Sequence, residues 1–129
     1  MRIGVGAVVA SMIMSASAGA QDASNGEDVF KKCRACHQVG ESAKNTVGPQ
    51  LNGIIGRKAG TADGFKYSDA NLASGVVWDK STFLKYIKDP RAAMPGNKMA
   101  FAGLQDEADA ADLLAYLELF AADGKLKKP

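Results

Sequence analysis

Histidine is almost missing from this chain. There is one, His37, and there are two cysteines, Cys33 and Cys36. A single imidazole excludes multi-histidine metal sites, and one histidine with two thiols falls short of a four-ligand zinc centre. Charge of one sign is missing as well. Sixteen basic side chains stand against 14 acidic ones, for a net charge of +2, which excludes the strongly basic footprint of a nucleic-acid binder. No apolar run is long enough to span a bilayer. The best, Ile3 to Met14, falls short of the roughly 20 residues required, and no stop-transfer segment follows it. No internal repeat is visible, so the chain does not read as a repeat array.

What is present begins with an export signal. Arg2, the apolar run and the small residues Ser15 to Ala20, with Ala18-Gly19-Ala20 as an A-x-A site, predict a secretory signal peptide over residues 1–20, cleaved after Ala20. The remainder, residues 21–129, is one small domain of 109 residues. Removing Arg2 leaves 15 basic and 14 acidic side chains. Export implies an oxidising compartment, where two cysteines ordinarily pair.

The pattern of apolar positions predicts an all-α domain of four to five helices joined by long loops. Ser24 and Glu27 form a capping-box pattern ahead of a helix over 25–34, with Val29, Phe30 and Cys33 on one stripe. Residues 38–64 carry turn residues and little helical period. A short helix is expected over 68–73, ended by Gly75. Asp79 caps another running through Lys88, and Pro90 stops it. Asp106, Glu107 and Asp109 crowd the first turn of the last helix, where the helix dipole favours negative charge. Ala110, Leu113, Leu114, Leu117, Phe120 and Ala121 mark its apolar face. The basic tail Lys125 to Pro129 is expected to fray.

The chemistry concentrates in Cys33-Arg34-Ala35-Cys36-His37, an instance of C-x-x-C-H. Two thiols at this spacing can form thioethers with the two vinyl groups of a haem and leave the histidine under the iron. A thiol–disulfide couple also uses C-x-x-C, but it usually opens a helix after a strand. Here the motif closes a helix. A haem iron held by His37 has a sixth position. Met94 and Met99 are the only methionines after residue 20, and they lie 57 and 62 residues beyond His37 in one Pro-Gly loop. Spacing alone does not choose between them, although the turn before Met99 could aim its side chain inward.

The chain from about Gly26 to Phe120 resembles the class I c-type cytochromes, in particular the mitochondrial-like bacterial cytochrome c-two group. The resemblance rests on CRACH, on Val47-Gly48-Pro49-Gln50-Leu51-Asn52-Gly53, on Gly56-Arg57-Lys58, and on Gly64 to Asn71. It also rests on Trp78, on Pro95-Gly96-Asn97-Lys98-Met99 and on Phe101-Ala102-Gly103. It implies the class I cytochrome c fold wrapped around one covalently bound haem c per chain. Cys33 and Cys36 would carry the thioethers, with His37 and Met99 as axial ligands and Met94 as packing. Pro49 would orient His37 through its carbonyl. Tyr86 would bond near the methionine sulfur, and Arg57, Tyr67, Asn71 and Trp78 would surround the propionates. Gly26, Phe30, Leu113 and Tyr116 would join the first and last helices.

Three departures from the mitochondrial pattern stand out. Asn97 replaces a threonine that helps hold a propionate. Asn45 replaces a loop-pinning histidine. Gln105 to Glu107 replace a lysine run, which leaves Lys32, Lys44, Arg91 and Lys98 as candidates for a docking face. The implied function is a soluble, monomeric, periplasmic one-electron carrier and not an enzyme. Its partners would be membrane-bound complexes: a cytochrome bc complex as donor, and a terminal oxidase or photosynthetic reaction centre as acceptor. A peroxidase or gas-binding protein would need a distal acid/base group, and the one histidine is already used.

Overall fold

Asp106 accepts hydrogen bonds from the backbone N–H groups of Ala108 (2.8 Å) and Asp109 (3.1 Å). This cap starts α5 (Glu107–Leu117), the longest helix among the described residues. A computed structural model describes residues 21–128. The proposed leader, residues 1–20, lies outside the described residues. Among the described residues, four helices precede α5: α1 (Ala23–Phe30), α2 (Asp69–Ala73), α3 (Lys80–Lys88) and α4 (Pro90–Ala93). Among the described residues there are no strands, only isolated antiparallel bridges at Lys58–Val77 and Phe120–Leu126. The all-α expectation holds.

The core is the crossing of α1 and α5, with α3 packed against α5. Val29 and Phe30 from α1 meet the face built by Ala110, Leu113, Leu114, Tyr116 and Leu117, all buried. The rings of Phe30 and Tyr116 stand 5.5 Å apart. Gly26 makes the crossing possible. A side-chain carbon there would overlap the Asp112 carbonyl and lie 2.7 Å from Tyr116 Cβ. Phe83 and Ile87 of α3, with Ile54, Trp78, Met94 and Leu104, complete the buried cluster.

The capping pattern at the first helix is corrected. Its N-cap is Asp22, whose Oδ1 accepts from the backbone N–H groups of Ser24 (2.9 Å) and Asn25 (3.2 Å). Ser24 donates its own hydroxyl to the same oxygen, and Glu27 faces Arg34 instead of reaching back. A carboxylate at the positive end of a helix is a stronger acceptor than a hydroxyl. Asp22 is also tied to α5, since its N–H donates to Asp112 Oδ1 (2.8 Å).

Pro90 does end α3, but it also begins α4. Its fixed φ suits the first helical position, and Asp89 caps that turn. The last helix stops at Leu117, short of Phe120 and Ala121, and the described part of the tail is paired where fraying was expected. Gly124 turns with a φ of 84°, and the chain folds back. Ala121 N–H donates to Lys125 O, and Lys127 N–H donates to Leu119 O, both at 2.8 Å. No described helix is long and apolar enough to cross a membrane.

Candidate haem site

The α1 helix does not stop abruptly at the cysteine motif. Helical-type turns carry it through Cys36. Cys33 N–H donates to Phe30 O (2.8 Å), and Cys36 and His37 N–H groups both donate to Cys33 O. Cys33 and Cys36 therefore lie on one turn, with no disulfide between them. Burial, and then the neighbouring Cys36, push the Cys33 thiol up to about 11. A redox-active thiol needs the opposite shift, which weighs against the thiol–disulfide reading.

The loop after the motif is held against it. Gly48 N–H and the Thr46 hydroxyl both donate to Cys36 O at 2.8 Å. Leu51 N–H donates to Gln38 O, and the Asn52 side chain exchanges hydrogen bonds with both backbone groups of Gly40. This seats the Pro49 carbonyl 2.8 Å from His37 Nδ1. A carbonyl can only accept, so Nδ1 carries the proton and the Nε2 lone pair is left for a metal. Burial lowers the His37 pKa, as does the Arg57 charge, against the opposing pull of the Pro49 bond. The buried ring is neutral at pH 7 and able to ligate. Gly48 lies against that ring, where a side-chain carbon would sit 2.7 Å from Nδ1.

On the other proposed side, the Tyr86 hydroxyl donates to Met99 Sδ at 3.2 Å. Burial pushes the tyrosine up to about 12, so it keeps its proton. Trp78 packs edge-on against Tyr86, with centroids 4.8 Å apart. Trp78 is also paired through its backbone to Arg57 and Gly56. The two methionines differ in place. Met94 is buried in the core cluster, whereas Met99 is partly buried at its edge, beside Tyr86.

Arg57 donates to the carbonyls of Asn52 (3.2 Å) and Gln50 (2.9 Å). Among the described residues no carboxylate forms an ion pair with it. Burial lowers its pKa, opposed by nearby Tyr67. Tyr67 accepts a hydrogen bond from Ala62 N–H (3.0 Å), so its own proton is free to donate. Asn71 Oδ1 is buried with no partner, and the amide can turn to offer its N–H groups instead. A half-buried guanidinium ordinarily has an anionic partner. Arg57 and nearby Tyr67 offer donors with no anionic partner among the described residues, and Asn71 has a buried amide with an unmet oxygen; such groups would suit a haem propionate.

Two departures from the mitochondrial pattern find structural roles. Asn45 donates to Asp63 O (2.7 Å) and accepts from Gln50 N–H (3.0 Å), so it pins the loop as the histidine would. Asn97 faces away from the propionate role and binds backbone instead. Sequence reasoning missed this clamp, together with the contact of Gly48 on His37. An asparagine directly after a turn glycine is the signal that could have found the clamp.

Comparison with known proteins agrees with this geometry. Residues 23–119 match the family model for cytochrome c. The chain is 55% identical to a cytochrome c2 of Blastochloris viridis over 112 residues, covering 87% of this chain and 88% of that protein. It is 55% identical to a cytochrome c-550 of Bradyrhizobium diazoefficiens over 106 residues, covering 82% and 78%. The solved structure of cytochrome c2 from Rhodospirillum centenum superposes with a TM-score of 0.73 at 44% identity, covering 78% of this chain and 98% of that one. The chain belongs to the cytochrome c family: it is a class I c-type cytochrome of the c2 type, an electron-transfer protein carrying covalent haem c.

Proposed function

We propose that the domain over 21–129 is a monomeric periplasmic carrier, exported by a leader cleaved after Ala20. It would pass single electrons from a cytochrome bc complex to a terminal oxidase or photosynthetic reaction centre. In this reading Cys33 and Cys36 carry the haem, and His37 and Met99 are its axial ligands. The observation that supports this most directly is the pair of orienting hydrogen bonds, Pro49 O to His37 Nδ1 and Tyr86 Oη to Met99 Sδ. Each ligand candidate has one group fixed by the protein and a lone pair left over.

When bound, haem supplies a one-electron Fe(II)/Fe(III) couple. The chain's residues make that couple fast and keep it closed to other chemistry. Pro49 and Gly48 fix the His37 ring, and Tyr86 fixes the Met99 sulfur, so neither ligand has to reorganise when charge changes. A soft thioether raises the potential. Arg57, Tyr67 and Asn71 would hold the propionates by charge and hydrogen bonds. His37 and Met99, both holding the iron, would leave no position for a substrate.

The decisive experiment makes two measurements on the purified protein and its variants. A denaturing gel stained for retained haem should show a coloured band, which Cys33→Ala with Cys36→Ala removes. The reduced protein should not bind carbon monoxide at neutral pH, whereas Met99→Ala should. Ready carbon monoxide binding by the unaltered protein would overturn the closed site.

A further inference from the structure

The loop carrying Met99 is fastened at one side chain. Asn97 Nδ2 donates to Pro90 O (2.9 Å) and to Met94 O (2.7 Å), and Oδ1 accepts from Met99 N–H (2.8 Å). Both amide ends are used. The two carbonyls belong to the first residue of α4 and to its C-cap. Both of those residues, Pro90 and Met94, are buried. Gly96, with a φ of 86°, makes the turn that swings Asn97 back over this helix. Lys98, between the clamp and Met99, is exposed. The backbone of Met99 is thus tied, through one amide, to a helix anchored in the core.

We propose that Asn97 is the positioning residue for Met99, and that its clamp sets how readily the sulfur is displaced from the iron. This rests on the reading of Met99 as an axial ligand. The sulfur itself is touched by Tyr86, and Asn97 acts one step back, on the backbone that presents it. A threonine hydroxyl has one donor on a shorter arm and cannot span both helix carbonyls and the Met99 N–H. An aspartate of the same shape would keep the acceptor for Met99 N–H. It would lose both donors and set a negative charge against two carbonyl oxygens.

The test measures displacement of the sixth ligand in the ferric holoprotein by added imidazole, followed by loss of the methionine–iron charge-transfer band. Denaturant unfolding is measured alongside. Asn97→Ala, Asn97→Asp and Asn97→Thr should each retain the band at rest and exchange roughly two- to tenfold faster, the scale of one lost hydrogen bond. Asn97→Thr carries the residue of the mitochondrial pattern and keeps the test available if the other variants fold poorly. Met99→Ala should lack the band altogether. Band loss in Met99→Ala, with Asn97 variants exchanging at the unaltered rate, would overturn the clamp, whatever their unfolding midpoints. A band persisting in Met99→Ala would overturn the ligand assignment instead.

Discussion

Tyr86 places a single hydrogen bond on the Met99 sulfur, and its direction decides the sign of its effect on potential. With Met99 as the proposed ligand, the O–H proton would draw electron density from the sulfur and make it a weaker donor to ferric iron. Removing it in Tyr86→Phe should strengthen that donation and lower the potential. A hydrogen bond of about 0.5–1 kcal/mol corresponds to a fall of up to roughly 20–40 mV, measured by redox titration. Because burial pushes Tyr86 up to about 12, the fall should be constant across the neutral range. A potential equal to that of the unaltered protein would mean that the bond favours neither oxidation state. Residues of this kind differ in how far the sequence reveals them. Cys33, Cys36 and His37 form a local motif whose chemistry follows from spacing. Tyr86 and Arg57 acquire their roles only through contacts distant in sequence, so without a family resemblance they read as a core aromatic and a surface cation.

At the scale of elements, the α1–α5 crossing depends on Gly26, and two effects compete there. Alanine is preferred over glycine in a helix by about 1 kcal/mol. The new methyl group, however, would overlap the Asp112 carbonyl, which is helix backbone and cannot swing aside. Overpacking of this kind costs about 1–3 kcal/mol, so the clash wins. Gly26→Ala should lower the thermal midpoint by roughly 5–15 °C, with the haem spectrum unchanged at room temperature. An unchanged midpoint would show that the helices part without cost. The helix caps make a second prediction. Thr82 N–H donates to Asp79 at 2.7 Å and is the first cause holding that carboxyl below its ordinary value. A depressed carboxylate contributes stability that is present above the ordinary value and lost as pH falls through the folded one. Asp79→Asn keeps an acceptor for the cap but no longer titrates. Unfolding curves from neutral pH down to acid should therefore lose less stability in the variant below about pH 4. An identical acid slope would remove Asp79 from the account. The element start at Asp79 was legible because one side chain decides it locally. The first cap was not. Choosing Asp22 over Ser24 depends on α5 supplying Asp112 to the Asp22 N–H. Folding back of the tail depends on pairing between Phe120 and Leu126, which no helical periodicity announces.

For the whole molecule, a net charge of +2 is too small to steer a partner from a distance, so any steering must come from where the cations sit. Lys31, Arg34, Lys80 and Lys88 are neutralised by Asp28, Glu27, Glu118 and Glu107. Lys32, Lys44, Arg91 and Lys98 are exposed, and none of them is in an ion pair among the described residues. Lys32 directly precedes Cys33, and Lys98 directly precedes Met99. Two of the unpaired cations thus adjoin, in sequence, the segments that would carry the haem, while the lysine run is replaced by Gln105, Asp106 and Glu107. Lys32→Glu and Lys98→Glu should each slow the bimolecular reaction with an acidic oxidase or reaction centre roughly two- to fivefold at low salt, a fraction of the full steering range. Above about 0.5 M salt, where screening acts over only a few ångströms, the variants and the unaltered protein should converge. Lys127→Glu makes the same change in net charge on the tail and supplies the control. If it slows the reaction as much as Lys98→Glu does, the partner senses total charge and there is no docking face around the haem. If only the flanking substitutions slow it, the few cations beside Cys33 and Met99 set the encounter.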